Sequence, residues 1–116
     1  MLLNSQIYIK NDRVVCFDCD GTLIVQGKPD DERAIAFVHY GVERFVPHKA
    51  HIEALVEAKR EGKFVIVWSH RGSEWVNEVI KKLGLENYVD LMMPKPTAYV
   101  DDLPADEWMN RVFISE

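Results

Sequence analysis

Two aspartates, Asp18 and Asp20, are the residues of this chain whose type and spacing best suit chemistry. They follow the apolar run at 14–17, whose composition is typical of a strand buried on both faces of a sheet. In an extended backbone the two carboxylates point to the same side, roughly 6–7 Å apart. Gly21 then allows a sharp turn behind them. Because an unpaired buried charge is costly, two acids at the end of such a strand predict binding or catalysis rather than packing.

Polar groups also follow two further apolar runs. Ser69 follows residues 64–68, and Asp101 and Asp102 follow a predicted strand at 98–100. In a parallel sheet these strand ends share one edge, where α/β proteins bind their ligands, so the groups should converge. At about 4 Å and an effective dielectric constant near 20, each pair of carboxylates would repel by about 4 kcal/mol. A divalent cation relieves that repulsion, and ligation by oxygen alone favours Mg²⁺ over zinc.

The stretch FDCDGTL at 17–23 resembles the motif that opens the haloacid dehalogenase (HAD) superfamily of phosphohydrolases. The resemblance implies that Asp18 is a phosphoryl-accepting nucleophile and a metal ligand. It implies that Asp20 is a general acid/base whose backbone carbonyl also binds Mg²⁺, and that Thr22 fixes the loop at the phosphate site by a side-chain hydrogen bond. Such a protein is a Mg²⁺-dependent phosphatase that works through an aspartyl-phosphate intermediate.

Later residues match the remaining motifs of that superfamily. Ser69 resembles the residue that hydrogen-bonds a phosphate oxygen, and Lys95 resembles the lysine that neutralises the phosphorylated aspartate. Asp102, with Asp101 as second choice, resembles the acidic metal ligand. Arg71 is similar to the arginine in the Ser-x-Arg of polynucleotide kinase-phosphatases and small capless relatives, where a guanidinium fork could clamp phosphate. Lys95 lies only six residues before Asp101, which is the main departure from the family pattern.

Strands that alternate with helices predict an α/β fold with a parallel sheet. The resemblance specifies a three-layer Rossmann-like fold with a central, mainly parallel five-stranded sheet. The strand of Asp18 is then central, and residues 1–116 form a single HAD-like phosphatase domain. A small flap is expected at 26–46, where residues 34–46 could be a hairpin around Tyr40 and Gly41 or a short extra strand. The remaining helices and strands are expected at 6–10, 47–61, 73–83, 90–93, 104–110 and 112–114.

The composition narrows the classes of partner. A net charge of −5 argues against extended nucleic-acid binding, but it is compatible with a nucleotide or a nucleic-acid phosphate end as substrate. The chain has no apolar run near 18 residues and no signal-peptide pattern, so we expect a cytoplasmic protein without membrane association. An uncapped site would admit a small phosphorylated substrate or the end of a nucleic acid, and a homo-oligomer could help to exclude water from the site.

One pair of cysteines and one pair of histidines have a spacing that could suit a zinc or redox site. They are Cys16 with Cys19, and His48 with His51. Zinc needs four converging ligands. Cys16 lies in the predicted buried strand, and residues of opposite parity along that strand face opposite ways. We therefore expect these cysteines to be small core residues.

Three other functions are compatible with parts of the pattern. A response-regulator receiver also places acids, a Ser/Thr and a Lys around Mg²⁺, but its acidic pair follows the first strand, whereas here the first strand carries D-x-D-G-T and the pair comes late. A non-catalytic HAD-fold binding module would not need the full motif set, which is Asp18, Asp20, Ser69, Lys95 and Asp102, although a catalytically weak protein could keep all of it. Dehalogenase or phosphonate chemistry would not use Asp20 to protonate a leaving alcohol, so phosphate monoesters are preferred.

Overall fold

The computed structural model describes residues 13–114, and this part of the chain contains six strands, two α-helices and two 3₁₀ turns. The strands are β1 (Val14–Asp18), β2 (Ile24–Val25), β3 (Ile35–Val38), β4 (Val42–Pro47), β5 (Phe64–Ser69) and β6 (Leu91–Pro94). The helices are α1 (Lys49–Arg60) and α2 (Ser73–Leu83), and the 3₁₀ turns are Glu86–Tyr88 and Ala105–Glu107. The chain is therefore of the α/β class, as the sequence predicts.

The sheet that carries the acidic motif is parallel and has the strand order β1-β5-β6. Asp18 at the end of β1 is paired with Trp68, and Ser69 at the end of β5 is paired with Pro94. The backbone N–H of Lys95 donates to the carbonyl of Ser69 at 2.9 Å, which continues the pairing by one residue. The carboxyl ends of all three strands consequently lie along one edge.

One face of β5 and one face of α2 form much of the core. Alternate residues of β5 are buried, as expected for a strand with one face against a helix. Helix α2 contributes an apolar face at helical spacing and ends at Gly84, which has a left-handed φ of 69°. The side chains buried at these positions are Val65, Val67, Trp75, Val76, Val79 and Ile80. Cys19 is also fully buried, and burial raises the pKa of its thiol to about 12, so it is a core residue as predicted.

A hairpin of β3 and β4 covers the other side of α2. The strands are antiparallel, and the turn contains Tyr40 with φ 59° followed by Gly41, so of the two alternatives for 34–46 the structure has the hairpin. Phe37 and Phe45 pack edge-on against Trp75, with ring centroids 5.9 and 6.0 Å away. Strand β4 also pairs with β2, which directly follows the acidic loop. The hairpin is thus fixed beside that loop.

The prediction of a five-stranded sheet is wrong, because the parallel sheet of the described residues has three strands. Neither 98–100 nor 112–114 forms a strand, and β1 is an edge strand in residues 13–114 rather than a central one. A parallel crossover needs a dozen or more residues, whereas only 95–97 separate β6 from the predicted fourth strand. The predicted strand at 6–10 lies outside the described residues.

The helix starts differ slightly from their predictions. Helix α1 begins at Lys49, after His48 as its N-cap, because Pro47 still belongs to β4. Helix α2 has Gly72 rather than Ser73 as its N-cap residue. The predicted helical turn at 104–110 is one 3₁₀ turn. No helix in the described part of the chain is long and apolar enough to span a bilayer.

Candidate active site

The strand edge brings Asp18 and Lys95 together across the end of β5. Lys95 Nζ lies 4.0 Å from Asp18 Oδ1, and the two side chains keep 35% and 29% of their surface exposed. Burial raises the pKa of Asp18 above its ordinary value, while the Lys95 ammonium and the backbone N–H of Cys19 act in the opposite direction. The arrangement pairs a partly buried carboxylate with a cation that solvent can still reach.

Ser69 lies between these two residues at the end of the central strand. It is a buried polar residue, 3% exposed. Its Oγ accepts a hydrogen bond from the backbone N–H of Arg71 at 3.0 Å, which leaves the hydroxyl hydrogen for donation to another oxygen. Because neighbouring strands are about 4.8 Å apart, the end of β5 that carries Ser69 lies next to the end of β1. The role of Ser69 toward phosphate stays a prediction.

Asp20 is held by two donors, one from the first turn of α2 and one from the loop that precedes it. Trp75 Nε1 donates to Oδ1 at 2.6 Å, and Arg71 Nη1 donates to Oδ2 at 3.2 Å. Trp75 is fully buried. Its hydrogen bond to Asp20 was not predicted from the sequence, although a buried indole N–H usually requires an acceptor.

Arg71 also joins the site to the hairpin. Its Nη2 lies 2.5 Å from Oε2 of Glu43 on β4, and its guanidinium carbon lies 3.7 Å above the ring of Trp75. The predicted phosphate clamp therefore has two carboxylate partners in this structure, Glu43 and Asp20. Glu43 was not predicted as a site residue, because no local motif marks it.

The acidic loop folds back on the carbonyl of Cys19. This oxygen accepts hydrogen bonds from the N–H groups of Thr22, Leu23 and Ile24 at 3.0, 2.9 and 3.2 Å. Gly21, with φ 86°, supplies the turn that this arrangement requires. Thr22 makes its hydrogen bonds with the described residues through its backbone N–H and carbonyl. The predicted side-chain hydrogen bond is not among these.

The two histidines of the H-x-x-H pair support this loop. His51 Nδ1 lies 2.9 Å from the carbonyl of Thr22, and His48 Nδ1 accepts the backbone N–H of His51 at 3.2 Å. The two rings stack with their centroids 4.0 Å apart. His48 is thus the cap of α1 and His51 connects that helix to the acidic loop.

Asp101 and Asp102 lie after β6 in a segment without a strand, and both are exposed. Asp101 Oδ1 accepts the N–H of Leu103 at 3.0 Å, and this hydrogen bond lowers the pKa of Asp101. Within residues 13–114 no three His, Cys, Asp or Glu side chains are grouped closely enough to hold a metal ion. The structure therefore gathers five of the predicted residues at the sheet edge but does not bring Asp101 and Asp102 into a common carboxylate cluster with them. The five are Asp18, Asp20, Ser69, Arg71 and Lys95.

Comparisons of this chain with protein-family models, with curated proteins and with solved structures found no match.

Proposed function

We propose that this protein is a Mg²⁺-dependent phosphomonoesterase of the HAD type, with Asp18 as nucleophile and Asp20 as general acid/base. The pairing of Lys95 with Asp18 at 4.0 Å carries the proposal. A lysine beside the nucleophile reduces the electrostatic repulsion between the aspartate and an incoming phosphate dianion. The same cation stabilises the negative charge of the phosphorylated aspartate.

In the first step, an oxygen of Asp18 attacks phosphorus and the bond from phosphorus to the ester oxygen breaks. The protonated carboxyl of Asp20 gives its proton to the departing oxygen, which leaves as an alcohol. The product is an aspartyl phosphate at Asp18. Ser69 donates its hydroxyl hydrogen to a phosphate oxygen, and Lys95 neutralises another.

In the second step, water attacks phosphorus and Asp20 takes a proton from that water. The bond from phosphorus to the oxygen of Asp18 breaks, and inorganic phosphate leaves. Asp18 returns as a carboxylate and Asp20 returns in its protonated form. Asp20 must reach the leaving ester oxygen in the first step and the attacking water oxygen in the second. Its position two residues after Asp18 at the strand end is consistent with both.

The oxygen donors at this edge are of the type that Mg²⁺ prefers. Mg²⁺ commonly binds through one or two carboxylates, substrate phosphate and several waters. Asp18 and the backbone carbonyl of Asp20 would hold it. Asp102, with Asp101 as second choice, is the further ligand that the resemblance implies, although in this structure neither joins a common cluster with Asp18. When bound, the ion would offset the charge of the phosphate and the aspartates.

Arg71 would clamp phosphate by exchanging partners. In this structure its guanidinium contacts Asp20 and Glu43 in a partly exposed ion pair. Such pairs contribute little net stability, so a phosphate dianion can replace them. Within residues 13–114 the hairpin is the only segment that could act as a cap, and we propose a nucleotide or a nucleic-acid phosphate end as substrate.

The test is a panel of phosphomonoesters with and without Mg²⁺, measured for wild type and Asp18→Asn. We expect hydrolysis that requires Mg²⁺ and a loss of at least about 10³-fold in kcat for Asp18→Asn. Asp30→Asn is the matched control, since Asp30 is an exposed loop carboxylate. Unchanged hydrolysis in Asp18→Asn would reject the mechanism.

A receiver-like phosphoryl-accepting domain is the second candidate. The observation that favours it is the double hydrogen bonding of Asp20, which would keep this carboxylate from acid/base work if Arg71 never released it. Release of phosphate over many turnovers supports the phosphatase, whereas one phosphoryl group retained per chain supports the receiver.

A further inference from the structure

We infer that Trp75 is a positioning residue for the acid/base: its indole N–H fixes Oδ1 of Asp20, so that Oδ2 is the oxygen that carries the transferred proton. This inference rests on the proposed phosphatase function and adds a residue to it. A Trp at the third helical position after Ser-x-Arg-Gly then orients the residue that transfers the proton, although it does not touch the reacting atoms.

The indole is held rigidly. Trp75 is fully buried, and the rings of Phe37 and Phe45 pack edge-on against it at centroid distances of 5.9 and 6.0 Å. Its Nε1–H is a donor only, and it lies 2.6 Å from Asp20 Oδ1. Because a buried indole has no alternative acceptor without repacking, this contact should persist through the reaction.

The partner of the other carboxylate oxygen is exchangeable. Arg71 Nη1 is 3.2 Å from Oδ2 of Asp20, and both side chains are about one-third exposed, 30% for Arg71 and 38% for Asp20. Arg71 is also shared with Glu43. When Arg71 turns toward a substrate phosphate, Oδ2 is released while Oδ1 stays bonded to Trp75. Oδ2 then takes up a proton from solvent, and this proton passes to the leaving ester oxygen as the bond from phosphorus to that oxygen breaks.

This role predicts a dependence on the leaving group. An alkyl phosphate needs protonation of a poor alkoxide leaving group, so its hydrolysis depends on a correctly oriented Asp20. A 4-nitrophenyl ester leaves as a stable phenolate and needs little help from an acid. A purely structural role for Trp75 would affect both substrates equally.

The experiment compares Trp75→Phe with wild type in the full chain, with methyl phosphate and 4-nitrophenyl phosphate as substrates. Phenylalanine keeps an aromatic ring in the pocket and removes the donor. We expect kcat for methyl phosphate to fall by about 10–100-fold and kcat for 4-nitrophenyl phosphate to change by less than about threefold. Trp108→Phe is the control, because Trp108 is about half exposed and its described ring contact is with Tyr99.

An NMR measurement keeps the inference testable if Trp75→Phe does not fold. In ¹⁵N-labelled wild type and Asp20→Ala, the indole N–H signal of Trp75 is identified by its proximity to the Phe37 and Phe45 rings. We expect this signal to move upfield and to exchange faster with solvent in Asp20→Ala, while the indole signals of Trp68 and Trp108 stay in place. A Trp75 signal unchanged by Asp20→Ala overturns the inference.

The outcomes separate the two claims. Wild type that hydrolyses neither ester in the presence of Mg²⁺ overturns the proposed function, and the role of Trp75 with it. Wild type that hydrolyses both esters, combined with equal losses on them in Trp75→Phe, overturns the role of Trp75 alone.

Discussion

Lys95 and Asp18 lie 77 residues apart in the chain and at opposite edges of the three-stranded sheet, yet Lys95 Nζ is 4.0 Å from Asp18 Oδ1. The contact crosses the end of β5, where Ser69 is buried. Parallel pairing of β1 with β5 and of β5 with β6 brings the three side chains to one edge. The link from β6 to Asp101 is shorter than in the superfamily that the sequence resembles, yet Lys95 reaches Asp18.

Replacing Lys95 by Met should lower activity and shift its pH profile. The Lys95 ammonium lowers the pKa of Asp18, against the larger effect of burial, which raises it. Removing the cation should therefore raise the pKa of Asp18 further, and since the nucleophile must be ionised, the acid limb of kcat/KM should move to higher pH. We expect kcat to fall by about 10²-fold. Lys28→Met, at an exposed loop lysine, is the control, and an acid limb that does not move would contradict the pairing.

Replacing Glu43 by Gln should strengthen the binding of inorganic phosphate. The change weakens the attachment of Arg71 to the hairpin and makes its guanidinium more available to an anion. A partly exposed ion pair contributes at most about 1 kcal/mol, so the inhibition constant of phosphate should fall by up to about fivefold. Glu53→Gln on the exposed face of α1 should leave it unchanged. Weaker phosphate binding in Glu43→Gln would mean that Glu43 positions Arg71 for the anion rather than competing with it.

Replacing Asp90 by Asn should destabilise the fold in a pH-dependent way. Although burial alone would raise the pKa of Asp90, the hydrogen bonds from Lys59 Nζ at 2.6 Å and from the N–H of Val65 at 2.8 Å lower it below its ordinary value. A depressed pKa stabilises the folded state above the ordinary pKa of the carboxyl, about 4, and this stabilisation is lost as the pH falls through the folded value.

Urea unfolding should show that Asp90→Asn costs about 1 kcal/mol at neutral pH, with a difference from wild type that shrinks toward pH 3. Asp30→Asn should cost much less at either pH. A difference for Asp90→Asn that is the same at both pH values would show that the carboxylate charge is not the source of the stabilisation.

Replacing Asp102 by Asn should weaken Mg²⁺ binding, although Asp102 is exposed in this structure. If Asp102 is a metal ligand, as proposed, the Mg²⁺ concentration for half-maximal activity should rise by at least about tenfold for Asp102→Asn and by less for Asp101→Asn. The measurement is a Mg²⁺ titration of phosphate release. Equal titration curves for wild type and both variants would remove Asp101 and Asp102 from the metal site.

The sequence predicts the parts of this molecule that local signals encode. The apolar runs that end at Asp18 and Ser69 are strands, Gly84 ends a helix, and the hairpin turn falls at Tyr40 and Gly41. Each follows from a period, a turn residue or a cap within a few positions.

Strand order and contacts between residues distant in the sequence could not be predicted from such local signals. The fifth strand and the central place of β1 were expected from the family resemblance, but only residues 95–97 separate β6 from the expected fourth strand, fewer than a parallel crossover requires. The contacts of Asp20 with Trp75 and of Arg71 with Glu43 join residues 55 and 28 positions apart. Only the fold determines which buried indole meets which carboxylate.

The most direct test is to trap the phosphorylated side chain. Wild type turning over a phosphomonoester with Mg²⁺ is quenched in acid and reduced with borohydride, which converts an aspartyl phosphate to homoserine. Mass spectrometry of the peptide containing residue 18 should then reveal homoserine in place of Asp18, and none without substrate. Steady release of phosphate with Asp18 unmodified, or homoserine at another aspartate, would contradict the assignment of Asp18 as the nucleophile.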